Sequence, residues 1–158
     1  MAKVKIKSTV AEQKKLAEGI YRMWLQAEEI AVQAKPGQFI SVYSNDKSRV
    51  LPRPISICEI DREQGKLRIV YRVVGKGTEE FSKASSGDTF EILGPLGNGF
   101  PLEEAKGKRV LMVGGGIGVP PMLQTAKEAE AEAVIVSGYR NNDLFLKEEL
   151  ENAGSLYI

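Results

Sequence analysis

The sequence predicts a β-barrel followed by an α/β unit: an N-terminal antiparallel Greek-key barrel, then part of a parallel sheet. Through residues 3–102, short runs of β-branched and aromatic residues alternate with turn residues, and no helical stripe exceeds a turn or two. From Lys108 onward, near-continuous apolar runs alternate with amphipathic ones, which is typical of parallel sheets. The period changes after "GNGFPL", so we expect two domains, residues 1–102 and 103–158.

The barrel strands are expected in six segments separated by turns. In order they read VKIKSTVAEQ, IYRMWLQAE, GQFISVYSN, RPISIC, KLRIVYRVV and DTFEILGPLG. The turns contain AKPGQ, DREQGK and SSGD, in which glycine supplies a positive φ and proline presets φ. Strands at this spacing favour a barrel or a sandwich, and we take the barrel as the prediction.

The second part is predicted as β-α-β followed by a further helix and strand. RVLMV and AVIVSGY are the first two strands, with a helix at residues 120–131 between them. NDLFLKEELENAG is the next helix, with Asn142 or Asp143 as its N-cap and Gly154 as its stop, and SLYI begins a third strand. Because three parallel strands would leave an edge and a face uncovered, we expect further strands beyond residue 158.

Composition excludes several kinds of site. With 22 Lys and Arg against 21 Asp and Glu, the chain has no basic excess for nucleic acid. Cys58 is the only cysteine and histidine is absent, so neither a disulfide framework, a His-based catalytic site nor a metal site built from several cysteines is expected within this sequence. No apolar run reaches transmembrane length, and we expect a cytoplasmic protein without a membrane partner.

The first candidate binding motif is "RPISIC" on the fourth barrel segment. Alternation places Arg53 with Ile55 and Ile57 on one face, and Pro54 with Ser56 and Cys58 on the other. Because Pro54 lacks an N–H, this strand should lie at an edge or where pairing opens. An arginine beside an open edge suits an anionic, planar ligand, although an ordinary surface arginine and turn proline would read the same.

The second motif is "YRVVGKGTEEF", in which a strand runs into two glycines and a helix beginning at Thr78 or just before it. Gly75 and Gly77 permit close backbone approach, and free N–H groups at a helix start favour phosphate. A strand-turn-helix connection with a capping threonine and no ligand is the alternative.

The third motif is "VGGGIGVPPM", between the first parallel strand and its helix. Its glycines allow a tight turn with backbone facing a pyrophosphate, and Pro120 or Pro121 fits the first helical turn. Gly114 and Gly116 give "GxGxxV", so the third glycine of the usual dinucleotide fingerprint is missing, and no acidic residue closes the second strand. Tight packing of strand on helix, without a ligand, remains an alternative.

Together, "RPxS", "GKGT" and "GGGIGVPP" in this order resemble the ferredoxin-reductase superfamily of flavoproteins. Within it, "LPRPISICEID", "IVYRVVGKGTEEFS" and "ILGPLGNGF" are similar to the electron-transfer subunits of type B dihydroorotate dehydrogenases. The resemblance covers nearly the whole chain. It implies an FAD-binding barrel joined to a partial Rossmann-like domain for a nicotinamide nucleotide.

The resemblance also assigns cofactor-binding residues but no catalytic acid or base. It implies that Arg53 lies near the FAD phosphates, Ser56 near the isoalloxazine, and Gly77 and Thr78 at the pyrophosphate. Pro54 and Ile55 would line the flavin as well, and Val70, Tyr71 and Arg72 would contact it and its ribityl chain. The turn would face NAD; its members are Gly114, Gly115, Gly116, Ile117, Gly118 and Pro120.

The implied activity is electron transfer between NAD and a separate FMN-containing dihydroorotate dehydrogenase catalytic subunit, in a heterotetramer of pyrimidine biosynthesis. A 2Fe-2S cluster is implied only for the full-length protein, because four cysteine ligands are not in this sequence. Three alternatives stay open. They are a stand-alone NAD(P)H-dependent flavin or ferredoxin reductase, the small subunit of a related sulfide dehydrogenase or hydrogenase, and a docking module without a cofactor.

Overall fold

A computed structural model describes residues 2–158 as nine strands, five short α-helices and one turn of 3-10 helix at Gly116–Gly118. The strands are β1 (Val4–Ala17), β2 (Ile20–Gln26), β3 (Phe39–Val42), β4 (Arg53–Asp61), β5 (Lys66–Arg72), β6 (Thr89–Leu96), β7 (Arg109–Gly115), β8 (Glu132–Gly138) and β9 (Ser155–Tyr157). The helices are α1 (Glu28–Ala31), α2 (Lys76–Ser82), α3 (Leu102–Ala105), α4 (Pro121–Glu128) and α5 (Lys147–Ala153).

The first six strands form a closed antiparallel barrel in the order β1-β2-β5-β4-β3-β6. β1 closes the barrel because it pairs with both β2 and β6. Strands that are neighbours in space but not in sequence, such as β2 and β5, give the predicted Greek-key arrangement. The predicted barrel is confirmed, while the four-residue helix α1 was not predicted.

The barrel core is built from alternate residues of its strands and is closed by α2. Leu67, Ile69 and Tyr71 point inward from β5 and are at most 2% exposed. From α2, Phe81 enters this core and meets Phe90 edge to face, with ring centroids 5.1 Å apart. The helix that follows Gly77 is thus fixed by the core beneath it.

The second part is a parallel sheet in the order β7-β8-β9, with α4 joining β7 to β8 and α5 joining β8 to β9. The helix predicted at 120–131 spans Pro121–Glu128. The predicted N-cap of α5 is wrong: the helix begins at Lys147 and its N-cap is Leu146, in left-handed conformation with φ 66°. Leu146 is buried, so apolar packing of its side chain decides where α5 begins. Gly154 follows α5 directly, as predicted.

A second apolar core joins the two parts. Ile20, Cys58 and Val70 on the outer face of the barrel pack with Met122 and Leu123 of α4. Cys58 is fully buried there, and burial raises the pKa of its thiol to about 12. The thiol is therefore a small buried apolar group and not a nucleophile.

Polar contacts reinforce this shared core. The buried Gln124 of α4 accepts a hydrogen bond from the Ile60 N–H at 2.8 Å. Arg68, 2% exposed, forms salt bridges with Glu59 of the barrel and Glu149 of α5. Burial alone would lower the pKa of Arg68, but hydrogen bonding and charge interactions with these carboxylates raise it. A buried, doubly paired arginine thus links β5 to the second part.

Within residues 2–158, no helix has both the length and the apolar character needed to cross a membrane.

Candidate functional site

The candidate site is a cleft of about 340 Å³ where β4 and β5 move apart. β4 pairs with β3 from Arg53 to Ser56, but its pairing with β5 begins only at Ile57. On the other wall, Val70 to Arg72 pair with β2 alone. The residues that line the cleft are Arg53, Pro54, Ile55, Ser56, Val70, Tyr71, Arg72, Val74, Thr78 and Ile117.

The local sequence explains why the sheet opens here. Pro54 has no N–H, so β4 cannot form a complete ladder on both sides at this position. Ile55 and Ile57 are buried in the barrel core, whereas Pro54 and Ser56 are exposed on the opposite face. The expectation that pairing opens at Pro54 is confirmed, and the opening leaves polar backbone and the Ser56 hydroxyl facing the cleft.

Two arginines give the cleft a positive charge. The arginines that form salt bridges within residues 2–158 are Arg22, Arg49, Arg62, Arg68 and Arg109. Arg53 and Arg72, on opposite walls, have no such partner there. Guanidinium groups without a carboxylate partner, in a partly enclosed cleft, favour an anionic ligand.

The start of α2 lies beside Arg53. A Cβ at Gly77 would lie 3.2 Å from Arg53 Nε, so glycine leaves room for the guanidinium against the first helical turn. The Thr78 Oγ1 accepts hydrogen bonds from the N–H groups of Val74, at 2.9 Å, and Gly75, at 3.2 Å. The strand-to-helix turn is therefore held by Thr78, as in the alternative of a capping threonine, and the cleft is adjacent to it.

Tyr71 is a buried residue of the cleft wall. The whole residue is 2% exposed, and its hydroxyl donates to Gln13 Oε1 at 2.6 Å. Burial raises the pKa of this phenol. Gln13 Nε2 in turn donates to the carbonyl oxygens of Phe81 and Ala84, at the end of α2. Tyr71 thus stabilises the helix next to the cleft.

The glycine-rich turn after β7 reaches the cleft from the second part. Gly116 has φ +55°, which favours glycine, and a Cβ there would lie 3.9 Å from Arg72 Nη2. Ile117 lines the cleft itself. Gly114 is needed for packing, because a Cβ would lie 2.8 Å from the Gly118 carbonyl oxygen. The turn therefore combines tight packing at Gly114 with an approach to the cleft at Gly116 and Ile117.

Most of the candidate residues come together, and some do not. Gly77 and Gly116 lie near Arg53 and Arg72 without lining the cleft. The other candidates that do not line it are Gly114, Gly115, Gly118 and Pro120. Sequence reasoning missed Val74, whose side chain is 77% exposed at the cleft. An apolar residue between a buried strand and a glycine turn was the available signal for it.

Comparison with known proteins identifies the barrel. The oxidoreductase FAD-binding domain family matches residues 3–100, which is more than half of the chain. The chain belongs to this family. The cleft between β4 and β5 and its two free arginines therefore lie in the part of the chain that carries the family match, and of the residues that line the cleft only Ile117 lies outside it.

The chain is also similar to named electron-transfer subunits. It is 42% identical over 156 residues to "Dihydroorotate dehydrogenase B (NAD(+)), electron transfer subunit" of Bacillus caldolyticus, covering 95% of this chain and 61% of the relative. The protein of the same name from Streptococcus mutans is 43% identical, with 89% and 56% covered. The chain thus spans about three fifths of the length of these relatives.

Solved structures share the architecture. A chain of an NADH-dependent reduced ferredoxin-NADP oxidoreductase superposes with a TM-score of 0.86 at 30% identity, covering 94% of this chain and 55% of that one. A ferredoxin NADP+ reductase from Neisseria gonorrhoeae, with bound FAD and NADP, gives a TM-score of 0.80 at 18% identity, with 98% and 67% covered, and shows the fold alone. The predicted membership of an FAD-binding oxidoreductase family and the predicted barrel with a nucleotide-type α/β part are confirmed.

Proposed function

We propose that this chain binds FAD in the cleft between β4 and β5 and passes electrons between NAD and a separate dihydroorotate dehydrogenase subunit. The carrying observation is the cleft itself: two unpaired arginines, exposed polar backbone and a glycine turn surround one opening. Because the chain spans only part of its relatives, the activity, substrate and partner are inferred from their names.

The residues present fit a dinucleotide with a planar ring and a pyrophosphate. Arg53, together with the Gly77–Thr78 turn, would hold the phosphates through charge-assisted and backbone hydrogen bonds. Ser56 and the opened backbone of β4 would bind polar ring atoms. Pro54, Ile55 and Val70 would supply apolar contact to the ring, and Val74 would add to it.

On the opposite wall, the backbone of Tyr71 and the guanidinium of Arg72 would contact the ribityl chain. When bound, FAD supplies the redox chemistry, accepting or donating a hydride and single electrons. The chain's own contribution is to orient the ring and to exclude water around it. No side chain is required as a catalytic acid or base.

The glycine turn is proposed to face NAD, with Gly114, Gly115, Gly116, Ile117, Gly118 and Pro120 as its members. Ile117 lines the flavin cleft, so a nicotinamide nucleotide held by this turn would lie next to the flavin. We propose residues 1–102 as the FAD domain and 103–158 as part of the NAD domain. Arg109–Gly115 then supplies the first strand of the nucleotide side.

The proposed partner is an FMN-containing catalytic subunit, with which the protein would form a cytoplasmic heterotetramer. A 2Fe-2S cluster is proposed only for the full-length protein, as the family resemblance implies, because the single cysteine of this sequence cannot supply its ligands. Co-purification with a protein that carries FMN tests the proposed partner. Cell fractionation tests the proposed cytoplasmic location. Full turnover of NADH with a flavin or ferredoxin as the final acceptor, by the intact single chain without any partner, would favour the alternative of a stand-alone reductase.

An absorbance spectrum of the purified protein, followed by heat release and identification of the flavin, tests the cofactor proposal. We expect a yellow protein that releases FAD at close to one molecule per chain. Colourless protein that stays colourless after incubation with FAD would overturn the proposal. Flavin that is released as FMN would assign the cleft to a mononucleotide instead.

A further inference from the structure

We propose that Glu80 is a positioning residue for the dinucleotide site: it holds loop 44–52 against α2 and so sets where Arg53 meets a ligand phosphate. The inference deepens the proposed FAD function and depends on it. Glu80 does not line the cleft, and no ligand contact is assigned to it.

The carboxylate of Glu80 receives three hydrogen bonds from the loop before β4. The Ser44 hydroxyl donates to Oε1 at 2.6 Å, and Arg49 Nη1 donates to the same oxygen at 2.7 Å. The Asn45 backbone N–H donates to Oε2 at 2.9 Å. A carboxylate that binds a backbone group, a hydroxyl and a guanidinium fixes the loop at three points.

The same loop leads directly into Arg53. Residues 44–52 have no strand or helix of their own, so side-chain contacts define much of their path, together with the hydrogen bond from the Arg49 N–H to the Asp46 carbonyl oxygen at 2.9 Å. Asp46 adds a local turn, because its Oδ1 accepts hydrogen bonds from the Ser48 N–H at 3.0 Å and the Ser48 hydroxyl at 2.7 Å. These contacts order the segment that ends at Arg53, the first residue of β4.

α2 therefore meets this segment at two places, one helical turn apart. Gly77 lies against the side chain of Arg53, and Glu80 holds Ser44 and Arg49. A helix seated by Phe81 in the barrel core thus sets both the start of the loop and its end. If Glu80 releases the loop, Arg53 keeps its charge but loses its fixed approach to the cleft, which raises the entropic cost of binding phosphate.

The salt bridge between Glu80 and Arg49 is partly shielded from solvent, so it should be stronger than a salt bridge between fully exposed side chains. The side chain of Glu80 is 22% exposed and that of Arg49 is 33% exposed. The neighbouring Glu79 offers a matched comparison, because its side chain is 54% exposed and pairs only with Lys83, at 3.2 Å along the helix. Within residues 2–158 the Glu79 carboxylate forms no hydrogen bond or salt bridge with the loop, so Glu79→Gln changes the same charge on the same helix without releasing it.

The test compares two ligands on flavin-free wild-type, Glu80→Gln and Glu79→Gln protein. FAD carries the pyrophosphate and riboflavin does not, and flavin fluorescence reports the binding of both. We expect Glu80→Gln to weaken FAD binding by about threefold to tenfold, since the contact that is weakened is charge-assisted but acts indirectly. Riboflavin binding should change by less than about twofold, and Glu79→Gln should leave both affinities near wild type.

A purely structural role would weaken both ligands equally, or lower the melting temperature with no change in the ratio of the two affinities. Either result would overturn the positioning role. A second variant, Arg49→Gln, removes one of the three contacts from the loop side and leaves those of Ser44 and Asn45 with Glu80. The double variant with Glu80→Gln should lose no more FAD affinity than the larger single loss. Both substitutions remove the same contact between Glu80 and the loop, so their effects should not add. Additive losses would contradict the proposal. Wild-type protein that binds neither ligand would instead reject the proposed function itself.

Discussion

The barrel buries the apolar side chains that point into its core, whereas the parallel sheet leaves apolar side chains of β7 exposed. Each barrel strand has two neighbouring strands in the closed barrel, and β4 and β5 move apart at the cleft. In the sheet, β7 pairs with β8 on one side alone, and Leu111 and Val113 are 64% and 70% exposed. A groove of about 520 Å³ beside β7 is lined mainly by apolar side chains. The barrel thus surrounds the cleft with several converging residues, whereas the second part contributes one turn to it, through Ile117.

The shared core decides whether these two parts behave as one. Leu123 of α4 is fully buried where α4 packs against the barrel, so Leu123→Ala should cost about 2–5 kcal/mol of unfolding free energy. Leu67→Ala, in the barrel core, is the matched change at an equally buried leucine. We expect both variants to lower a single thermal transition, measured by circular dichroism. Two separate transitions in Leu123→Ala would show that the barrel and the sheet unfold independently.

The charge of the cleft is the next largest effect. Arg53→Ala removes the guanidinium proposed to bind phosphate, and should weaken FAD binding by about 1.5–3 kcal/mol. Equilibrium titration with FAD measures this loss. Arg109→Ala is the control, because Arg109 is 73% exposed on β7 and pairs with Glu132 across the sheet. Equal FAD affinity in the two variants would mean that Arg53 is an ordinary surface arginine that does not bind the phosphates.

Particular residues show what the sequence could predict. Proline in β4 and glycine before α2 act through their own backbone, so the opening at Pro54 and the helix start near Thr78 followed from local chemistry. Leu146 could not be predicted as an N-cap, because a distant apolar core selects its conformation. Glu80 and Gln13 were missed for a similar reason. Their partners lie 31 or more residues away, so no local pattern reports them.

A pH profile tests the ionic link between the two parts. The hydrogen bond from Arg68 lowers the pKa of Glu149 below its ordinary value of 4.5. Because the pKa of Glu149 is lower in the folded state than in the unfolded state, the salt bridge stabilises the fold fully above the ordinary pKa of 4.5. This stabilisation is lost as the pH falls through the folded-state pKa. Glu149→Gln should cost about 1 kcal/mol at pH 7, discounted for the partial exposure of Glu149. The difference from wild type should shrink in acid.

Glu148→Gln is the control for that experiment, because Glu148 is exposed on the same helix turn and forms no salt bridge within residues 2–158. Thermal melts at pH 7 and below pH 4 give the comparison. A gap between wild type and Glu149→Gln that does not change with pH would contradict an ionic contribution from this carboxylate.

The smallest expected effect is a chemical one at Cys58. Its burial between β4 and α4, with a thiol pKa of about 12, predicts almost no reaction with a disulfide reagent at neutral pH in native protein. Unfolded protein should react at once. Leu123→Ala should speed the reaction, because the same core covers the thiol. Rapid labelling of the wild type would mean that the barrel and the sheet separate often in solution.

β5 has neither face free. On one face of the strand, the barrel core contains Leu67, Ile69 and Tyr71. On the other face, Val70 packs in the shared core and Arg68 is buried in its salt bridges. The end of the same strand forms one wall of the cleft. Selection on this strand therefore acts on folding, on the joining of the two parts and on ligand binding at once. A mutational scan should find it far less tolerant than β1, whose alternate lysines face solvent.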